Sequence, residues 1–151
     1  MESQRPLLLI VDDDDLDVLI VRRALNDMGI TNPIVRMKDG EEAFAYLETC
    51  LGEVPCVVLL DLNMPRMDGF EFLRQVKAHP KLKDVPVIVL TTSTSEADMM
   101  RSYELGALDY VVKSMDSTAF RKNLCCIRDF CRGCAASQAE ESTGLVRSDR
   151  P

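Results

Sequence analysis

Acidic residues follow two of the most apolar segments of this 151-residue chain. Asp12–Asp15 comes directly after LLLIV at residues 7–11, and Asp61 comes directly after VVLL at residues 57–60. If these segments are neighbouring strands of a parallel sheet, their carboxyl ends deliver the carboxylates to one edge. Unit charges about 5 Å apart repel by roughly 3 kcal/mol at an effective dielectric constant near 20, which a hard divalent cation would offset. Oxygen ligands of this kind are typical of Mg²⁺.

A purely structural role is the alternative for the acidic run. Asp12–Asp15 alone would serve as a solvated turn that caps a helix, because negative charge is favourable at a helix N-terminus. Asp61 favours the chemical interpretation, since an acid that ends an apolar strand has no evident packing role. Thr91 follows VIVL and Lys113 follows YVV in the same way. Four of five predicted strands therefore place an acid, a hydroxyl or a lysine at one edge.

Short β-like runs alternate with amphipathic segments along the chain, which predicts a doubly wound α/β sandwich with right-handed crossovers. The predicted strands are Leu7–Val11, Ile34–Met37, Val57–Leu60, Val87–Leu90 and Tyr110–Val112. The predicted helices are Leu16–Met28, Glu41–Cys50, Phe70–Ala78, Glu96–Leu105 and Thr118–Arg132. In the first helix, the apolar residues at helical spacing are Leu16, Leu19, Ile20, Ala24 and Met28.

Composition indicates one compact domain, with 46% hydrophobic and 28% charged residues. We predict that it spans residues 5–133 and that residues 134–151, which have few large apolar side chains, form a flexible tail. A net charge of −7 disfavours binding to nucleic-acid phosphates as the main activity. Because neither a long apolar run nor a signal-like N-terminus is present, we expect a cytoplasmic protein with no membrane span.

Six cysteines are present, four of them within ten residues. One CxxC pair, Cys131 and Cys134, with a single distant His79 offers too few ligands for a typical zinc site. We therefore predict reduced thiols on or near a last helix.

Four motifs carry a resemblance to a known family. They are VDD after the first strand, LDLNMPRMDG around Asp61, VLTTS after the fourth strand and DYVVK at the fifth. Over Leu7–Arg132 the sequence resembles the receiver domain of two-component response regulators. The resemblance implies a flavodoxin-like (βα)5 fold, whose five-stranded parallel sheet has the order 2-1-3-4-5.

The resemblance also implies roles for the acidic residues. Asp61 matches the phosphoacceptor, which takes a phosphoryl group from the phosphohistidine of a sensor histidine kinase. Asp13, Asp61 and the backbone carbonyl of Asn63 would ligate Mg²⁺, and Asp12 would act through water. A cation that bridges the nucleophile and a phosphoryl oxygen lets one anion approach another. Asp14 and Asp15 lie beyond the family's acidic pair, and we expect one of them to cap the first helix.

Three further residues match positions that respond to phosphorylation. Thr91 would bind one phosphoryl oxygen and Lys113 another. Thr91 and Tyr110 would act as the switch, with the tyrosine ring changing orientation. The family usually has Pro after the lysine, often joined by a cis bond, whereas this chain has Ser114. We predict a trans bond here, since a cis bond before a non-proline residue costs about 2.5–4 kcal/mol. A salt bridge from Lys113 to Asp61 would show that the lysine keeps its place.

Other segments suggest partners. HPKLK at residues 79–83, TTS at 91–93 and SYELGA at 102–107 resemble stand-alone regulators found beside bacterial phytochrome kinases. We expect the kinase to dock beside the first helix, and a homodimer to form through the fourth helix, fifth strand and fifth helix, where Met99, Met100 and Tyr103 lie. We expect no output domain and no DNA binding.

Two alternatives stay open. A Mg²⁺-dependent phosphatase would use Asp61-Leu62-Asn63 as a loose acid-x-acid motif, and such a protein would be an enzyme in the ordinary sense. A receiver-like module that binds partners without efficient phosphorylation is favoured by the Lys113-Ser114 pair. The main interpretation is not an enzyme but a phosphoacceptor that catalyses only its own modification and its reversal.

Overall fold

The computed structural model describes residues 6–50, 53–64, 67–114 and 116–131. The predicted domain limits at 5 and 133, the predicted tail at 134–151 and Cys134 lie outside these residues.

Five parallel strands form one sheet, in the order β2-β1-β3-β4-β5. The strands are β1 (Leu8–Val11), β2 (Ile34–Met37), β3 (Val57–Leu60), β4 (Val87–Thr91) and β5 (Asp109–Val112). Every residue of β1, β3 and β4 is buried, as expected for central strands covered on both faces. The predicted α/β class, sheet order and strand positions are confirmed, and each strand agrees with its predicted bounds to within one residue.

Helices cover both faces of the sheet. They are α1 (Asp15–Asp27), α2 (Gly40–Thr49), α3 (Gly69–Ala78), α4 (Glu96–Glu104), α5 (Ser117–Asn123) and α6 (Cys125–Cys131). Side chains that accept backbone N–H bonds cap the first five helices, namely Asp14, Asp39, Asp68, Ser95 and Asp116. None of the helices in the described ranges is long and apolar enough to cross a bilayer.

The predicted last helix, Thr118–Arg132, is instead two short helices that meet at Leu124. Ile127 N–H donates to the carbonyl of Leu124 at 2.9 Å, a tighter i to i+3 bond than an α-helix makes. The junction is rich in residues of weak helix propensity, because Asn123 is followed two residues later by Cys125-Cys126 and Ile127. The sequence does not reveal this break between the two helices, because buried residues continue at helical spacing across it. Leu124 and Ile127 are both completely buried.

The apolar face of α1 agrees with the prediction only in part: Ala24 is buried and Ile20 and Met28 pack against the core, but Leu16 and Leu19 do not. Leu16 and Leu19 are 62% and 52% exposed, whereas Val18, Val21 and Leu25 are buried. Val18, Val21 and Leu25 repeat at helical spacing as well, so the sequence contains two overlapping apolar stripes. The valine stripe is the one that packs with Leu8 and Ile10 of β1.

Alternate residues of the strands feed two separate cores. Leu8 and Ile10 lie in the core beneath α1, α5 and α6, while Leu9 and Val11 lie in the core beneath α2 and α3. Both faces of the central strands are therefore closed by apolar side chains. The carboxyl ends of these strands are thus held rigidly, and the side chains that follow them have little freedom to separate.

Candidate functional site

Three carboxylates meet where β1 and β3 end. Asp12, Asp13 and Asp61 each offer a ligand oxygen within 4.8 Å of the other two. Asp12 and Asp61 are buried, and Asp13 is exposed. The backbone fixes this meeting, because Asp61 N–H donates to the carbonyl of Val11 at 2.9 Å and so continues the ladder between the strands. The predicted gathering of acids at one edge of the sheet is confirmed.

Local hydrogen bonds shape the turn after β1. Asp14 N–H donates to Asp12 Oδ1 at 2.9 Å, while the Asp14 side chain accepts from the N–H groups of Leu16 and Asp17. Asp14 is therefore the helix cap that the acidic run predicted. Arg36 Nε, from the neighbouring β2, donates to the carbonyl of Asp12 at 2.9 Å. These bonds hold both the carboxylate and the backbone carbonyl of Asp12.

A close approach shapes the loop after β3. Gly69 begins α3, and its N–H donates to the carbonyl of Leu62 at 3.0 Å. A Cβ at this position would lie 2.6 Å from the carbonyl oxygen of Asp61 and 2.7 Å from Leu62 Cα. Such contacts are shorter than side chains tolerate, so a glycine is required for α3 to start against the end of β3. Asn63 is exposed, and a hydrogen bond from its backbone lowers the pKa of the Asp61 carboxyl in part.

Lys113 enters this cluster from the end of β5. Its ammonium nitrogen lies 2.7 Å from Asp12 Oδ2, 2.9 Å from Asp17 Oδ2 and 3.7 Å from Asp61 Oδ1. No peptide bond of the described residues is cis, so the predicted trans bond between Lys113 and Ser114 is confirmed. Lys113 therefore keeps its place beside Asp61, although its two hydrogen bonds go to Asp12 and Asp17.

Burial and charge act against each other in this cluster. Burial raises the pKa of Asp61 from 3.8 to about 6; attraction to Lys113 lowers it in part, and repulsion from Asp12 raises it further. Burial likewise raises the pKa of Asp12, against the hydrogen bond from Lys113. Burial lowers the pKa of Lys113, but the bonds to Asp12 and Asp17 and the attraction of Asp61 outweigh it. One ammonium thus faces several carboxylates, and the site retains excess negative charge.

Excess negative charge of this kind fits a divalent cation. The donor set consists of carboxylate oxygens, which hard cations prefer. An open cleft of about 410 Å³ reaches the cluster, lined by Asp13, Leu62, Asn63, Met64, Asp68 and Phe70. No other group of three or more acidic, His or Cys side chains in the described ranges is placed to hold a metal ion. The cysteines there, Cys50, Cys56, Cys125, Cys126 and Cys131, are free thiols, as predicted for these five.

Thr91 and Tyr110 share a contact with the loop after β4. Thr91 is completely buried, and its hydroxyl oxygen accepts a hydrogen bond from Ser93 N–H at 3.3 Å. The buried Tyr110 donates its hydroxyl to the carbonyl of Ser93 at 2.9 Å. The Tyr110 ring is therefore in an inward orientation, and Ser93 connects the two residues of the predicted switch.

Asp17 and Arg36 are residues of the site that the sequence reasoning missed. Asp17 lies four residues after Asp13, on the face of α1 that turns towards the same edge of the sheet. That spacing was available in the sequence, but the ion pair with Lys113 depends on how α1 packs. Arg36 lies within a strand rather than directly after one, so the pattern of polar residues that follow apolar strands does not include it.

Comparisons with known proteins agree with this geometry. A family model described as the response regulator receiver domain matches residues 8–124. The probable methanogenesis regulatory protein FilR2 of Methanothrix harundinacea is 34% identical over 88% of this chain and 88% of its own. Response regulator Rcp1 of Synechocystis is 40% identical over 75% of this chain and 80% of its own.

Solved structures give the same result. The phosphorylated cyanobacterial phytochrome response regulator RcpA superposes with a TM-score of 0.75 at 33% identity, over 85% of this chain and 94% of that one. The Mn²⁺-bound form of Rcp1 superposes with a TM-score of 0.71 at 36% identity, over 83% and 93%. One receiver domain accounts for most of each of these chains. The present chain belongs to the response regulator receiver domain family of two-component signalling, and it is similar to phytochrome-associated members such as RcpA.

Proposed function

We propose that Asp61 accepts a phosphoryl group from the phosphohistidine of a sensor histidine kinase, in a Mg²⁺-dependent reaction. The observation that carries this proposal is the position of the Asp61 carboxylate. It is buried beside two other acids, all within 4.8 Å, and lies 3.7 Å from the ammonium of Lys113. A nucleophile placed between a cation-binding cluster and a lysine suits the transfer of an anionic group.

Asp13 and Asp61 are the proposed direct ligands of Mg²⁺, with the Asn63 carbonyl as a third and Asp12 acting through water. The hydrogen bonds of Asp12 support this division. Asp12 Oδ1 already accepts from Asp14 N–H and Asp12 Oδ2 from Lys113. Mg²⁺, when bound, supplies positive charge that allows the acceptor and an anionic phosphoryl donor to approach. The Mn²⁺-bound form of Rcp1, a relative of this chain, supports a divalent metal of this class.

Thr91 and Lys113 are the proposed partners of the phosphoryl oxygens. The ammonium of Lys113 has three N–H donors, of which Asp12 and Asp17 use two, so one is left on the side of Asp61. The Thr91 hydroxyl ends the strand next to that of Asp61. Donors fixed before the reaction stabilise developing charge without having to reorganise.

Tyr110 is the proposed reporter of the modified state. When the Thr91 hydroxyl turns to donate to a phosphoryl oxygen, its contact with Ser93 changes. Because Tyr110 also bonds to Ser93, at 2.9 Å, the change is passed to the tyrosine and to the surface of α4 and β5. Met100, Tyr103 and Leu108 are 62%, 44% and 53% exposed at that surface. We propose that signalling, including a homodimer, uses this face.

The kinase is the remaining partner. RcpA is described as a phytochrome response regulator, which supports a phytochrome-type kinase as the donor. The cytoplasm is the proposed location of both proteins. Leu16 and Leu19 of α1 are exposed near the acidic cluster and suit a docking helix.

A second candidate is a receiver that binds partners without efficient phosphorylation. The hydrogen bonds of Lys113 favour it, because they go to Asp12 and Asp17 while Asp61 lies farther away, at 3.7 Å. If the ammonium does not reach a phosphoryl oxygen, transfer loses much of its charge stabilisation.

Treatment with acetyl phosphate and Mg²⁺, followed by intact-mass and peptide mass spectrometry, tests both candidates. We expect the mass of one phosphoryl group on Asp61, no modification in Asp61→Asn, and no modification of wild type when EDTA replaces Mg²⁺. Asp84→Asn, at an exposed position outside the cluster, is the matched control and is expected to be modified like wild type. A folded wild-type protein that binds Mg²⁺ but gains no mass would instead support the second candidate. Modification at another residue would refute both.

A further inference from the structure

Asp17 is an additional carboxylate on the ammonium of Lys113. The ion pair joins the first turn of α1 to the end of β5, at 2.9 Å, and the lysine side chain is only 8% exposed. We propose that Asp17 is a positioning residue: together with Asp12 it holds Lys113 away from Asp61, so that the nucleophile stays free and one N–H donor waits for the phosphoryl group. This proposal deepens the function proposed above and rests on it.

The backbone around Asp17 prepares its side chain for this role. Asp14 is the N-cap of α1, and the N–H of Asp17 donates to Asp14 Oδ1 at 3.1 Å. In a capping box, an acid at Asp17's position would accept the N–H of the cap residue in return. Here that N–H donates to Asp12 instead. The Asp17 carboxylate is therefore directed to Lys113 rather than back into its own helix.

The distances indicate what this tether achieves. An ammonium 3.7 Å from Asp61 Oδ1 is too far for a hydrogen bond to the free carboxylate. A phosphoryl group attached to Asp61 carries oxygens that lie beyond the carboxylate oxygen, and one of them can lie within hydrogen-bond distance of the ammonium. Lys113 can then donate a hydrogen bond to the phosphoryl group of the product without leaving Asp12 or Asp17. It can also stabilise the negative charge that develops on the phosphoryl oxygens during transfer. A donor that is fixed in this way acts on the transferred group more than on the resting nucleophile.

Without Asp17, two acids would remain within reach of Lys113. Attraction would draw the ammonium towards Asp61, whose carboxylate already lies 3.7 Å from it. A direct ion pair would stabilise the resting carboxylate and use the N–H donor that otherwise waits for the phosphoryl group. Both effects raise the barrier to transfer more than they weaken the binding of the phosphodonor.

Initial rates of Asp61 phosphorylation, measured against acetyl phosphate concentration at saturating Mg²⁺, test the proposal. We expect Asp17→Asn to lower the maximal rate by about tenfold, the scale of a misplaced electrostatic group, with little change in the half-saturating concentration. Asp17→Glu keeps the charge and is expected to recover part of the rate. Asp27→Asn removes the same charge from the far end of α1, where Arg121 lies 3.5 Å away, and is expected to stay within about twofold of wild type.

A crystal structure of unmodified Asp17→Asn provides a readout that needs no phosphorylation. We expect Lys113 Nζ to lie within hydrogen-bond distance of Asp61. A rate for Asp17→Asn equal to or above that of wild type, or a lysine that stays in place, would overturn the role of Asp17. In that case, labelling of wild-type Asp61 would leave the proposed function intact. Failure to label folded wild type would instead refute the proposed function and with it the role of Asp17 in transfer.

Discussion

Asp13→Asn removes one negative charge from the site and leaves the size of the side chain almost unchanged. Folding brings the carboxylates of Asp12, Asp13 and Asp61 within 4.8 Å of one another, whereas the unfolded chain does not hold Asp61 near the other two. In the absence of divalent metal, the variant is therefore expected to have a larger free energy of unfolding than wild type. With Mg²⁺ the order is expected to reverse, because wild type keeps the carboxylate ligand.

The magnitude follows from Coulomb's law. At 4.8 Å, two unit charges repel by about 0.9 kcal/mol in bulk water and by about 3.5 kcal/mol at an effective dielectric constant near 20. Asp13 is exposed, and Asp12 is already paired with Lys113, so the lower figure applies. We expect the variant to gain about 1 kcal/mol in EDTA. Mg²⁺ at a hundred times its Kd stabilises a protein by about 2.7 kcal/mol, and Asp13→Asn is expected to lose most of that gain.

Urea unfolding followed by circular dichroism, in EDTA and in saturating Mg²⁺, measures both effects. Glu53→Gln removes a charge at an exposed position outside the cluster and is the control, expected to respond to Mg²⁺ like wild type. Two results would refute the reasoning. One is an Asp13→Asn variant less stable than wild type in EDTA, and the other is a variant that gains as much from Mg²⁺ as wild type does.

Three further predictions concern the same edge of the sheet. Gly69→Ala is expected to lower the free energy of unfolding by about 2 kcal/mol in urea, because its Cβ would lie 2.6 Å from the Asp61 carbonyl oxygen. Tyr110→Phe is expected to cost about 1 kcal/mol through the lost bond to Ser93, whereas Tyr103→Phe, at an exposed position, is expected to cost less. Without metal, the free energy of unfolding is expected to fall as pH rises from about 4 to about 7, because the pKa of Asp61 is 3.8 when unfolded and about 6 when folded, so that the folded protein binds the proton more tightly. Asp61→Asn is expected to weaken that pH dependence, and a slope unchanged in the variant would contradict it.

Much of the fold was predictable because its signals are local. The apolar runs of β1, β3 and β4 are read directly from the sequence, and Asp14, Asp39 and Asp68 cap helices that begin where the spacing predicts. The gathering of acids followed from one general property of parallel sheets, that residues after neighbouring strands meet at one edge. Asp61 is assigned to the site by this property alone.

The features that escaped prediction depend on packing between elements. Two apolar stripes overlap on α1, and only contact with β1 decides that Val18 and Val21 are buried while Leu16 is exposed. The break at Leu124 leaves the spacing of buried residues intact, so periodicity does not reveal it. Asp17 belongs to the site only because α1 turns that face towards β5.

The charges of the site follow the order of the strands. The acids come from the central strands β1 and β3, whereas the cations Arg36 and Lys113 come from the edge strands β2 and β5. To reach Asp12, the lysine must extend past the ends of β4 and β3, and the residue that ends β4 is the small Thr91. The long side chain of Lys113 can reach this far because the neighbouring Thr91 side chain is short. Because the lysine side chain is also flexible, the ion pair with Asp17 can fix the position of its ammonium. The sheet therefore brings opposite charges to one place from both of its edges, and it holds the Lys113 ammonium 3.7 Å from Asp61 Oδ1, where a phosphoryl oxygen on Asp61 can reach it.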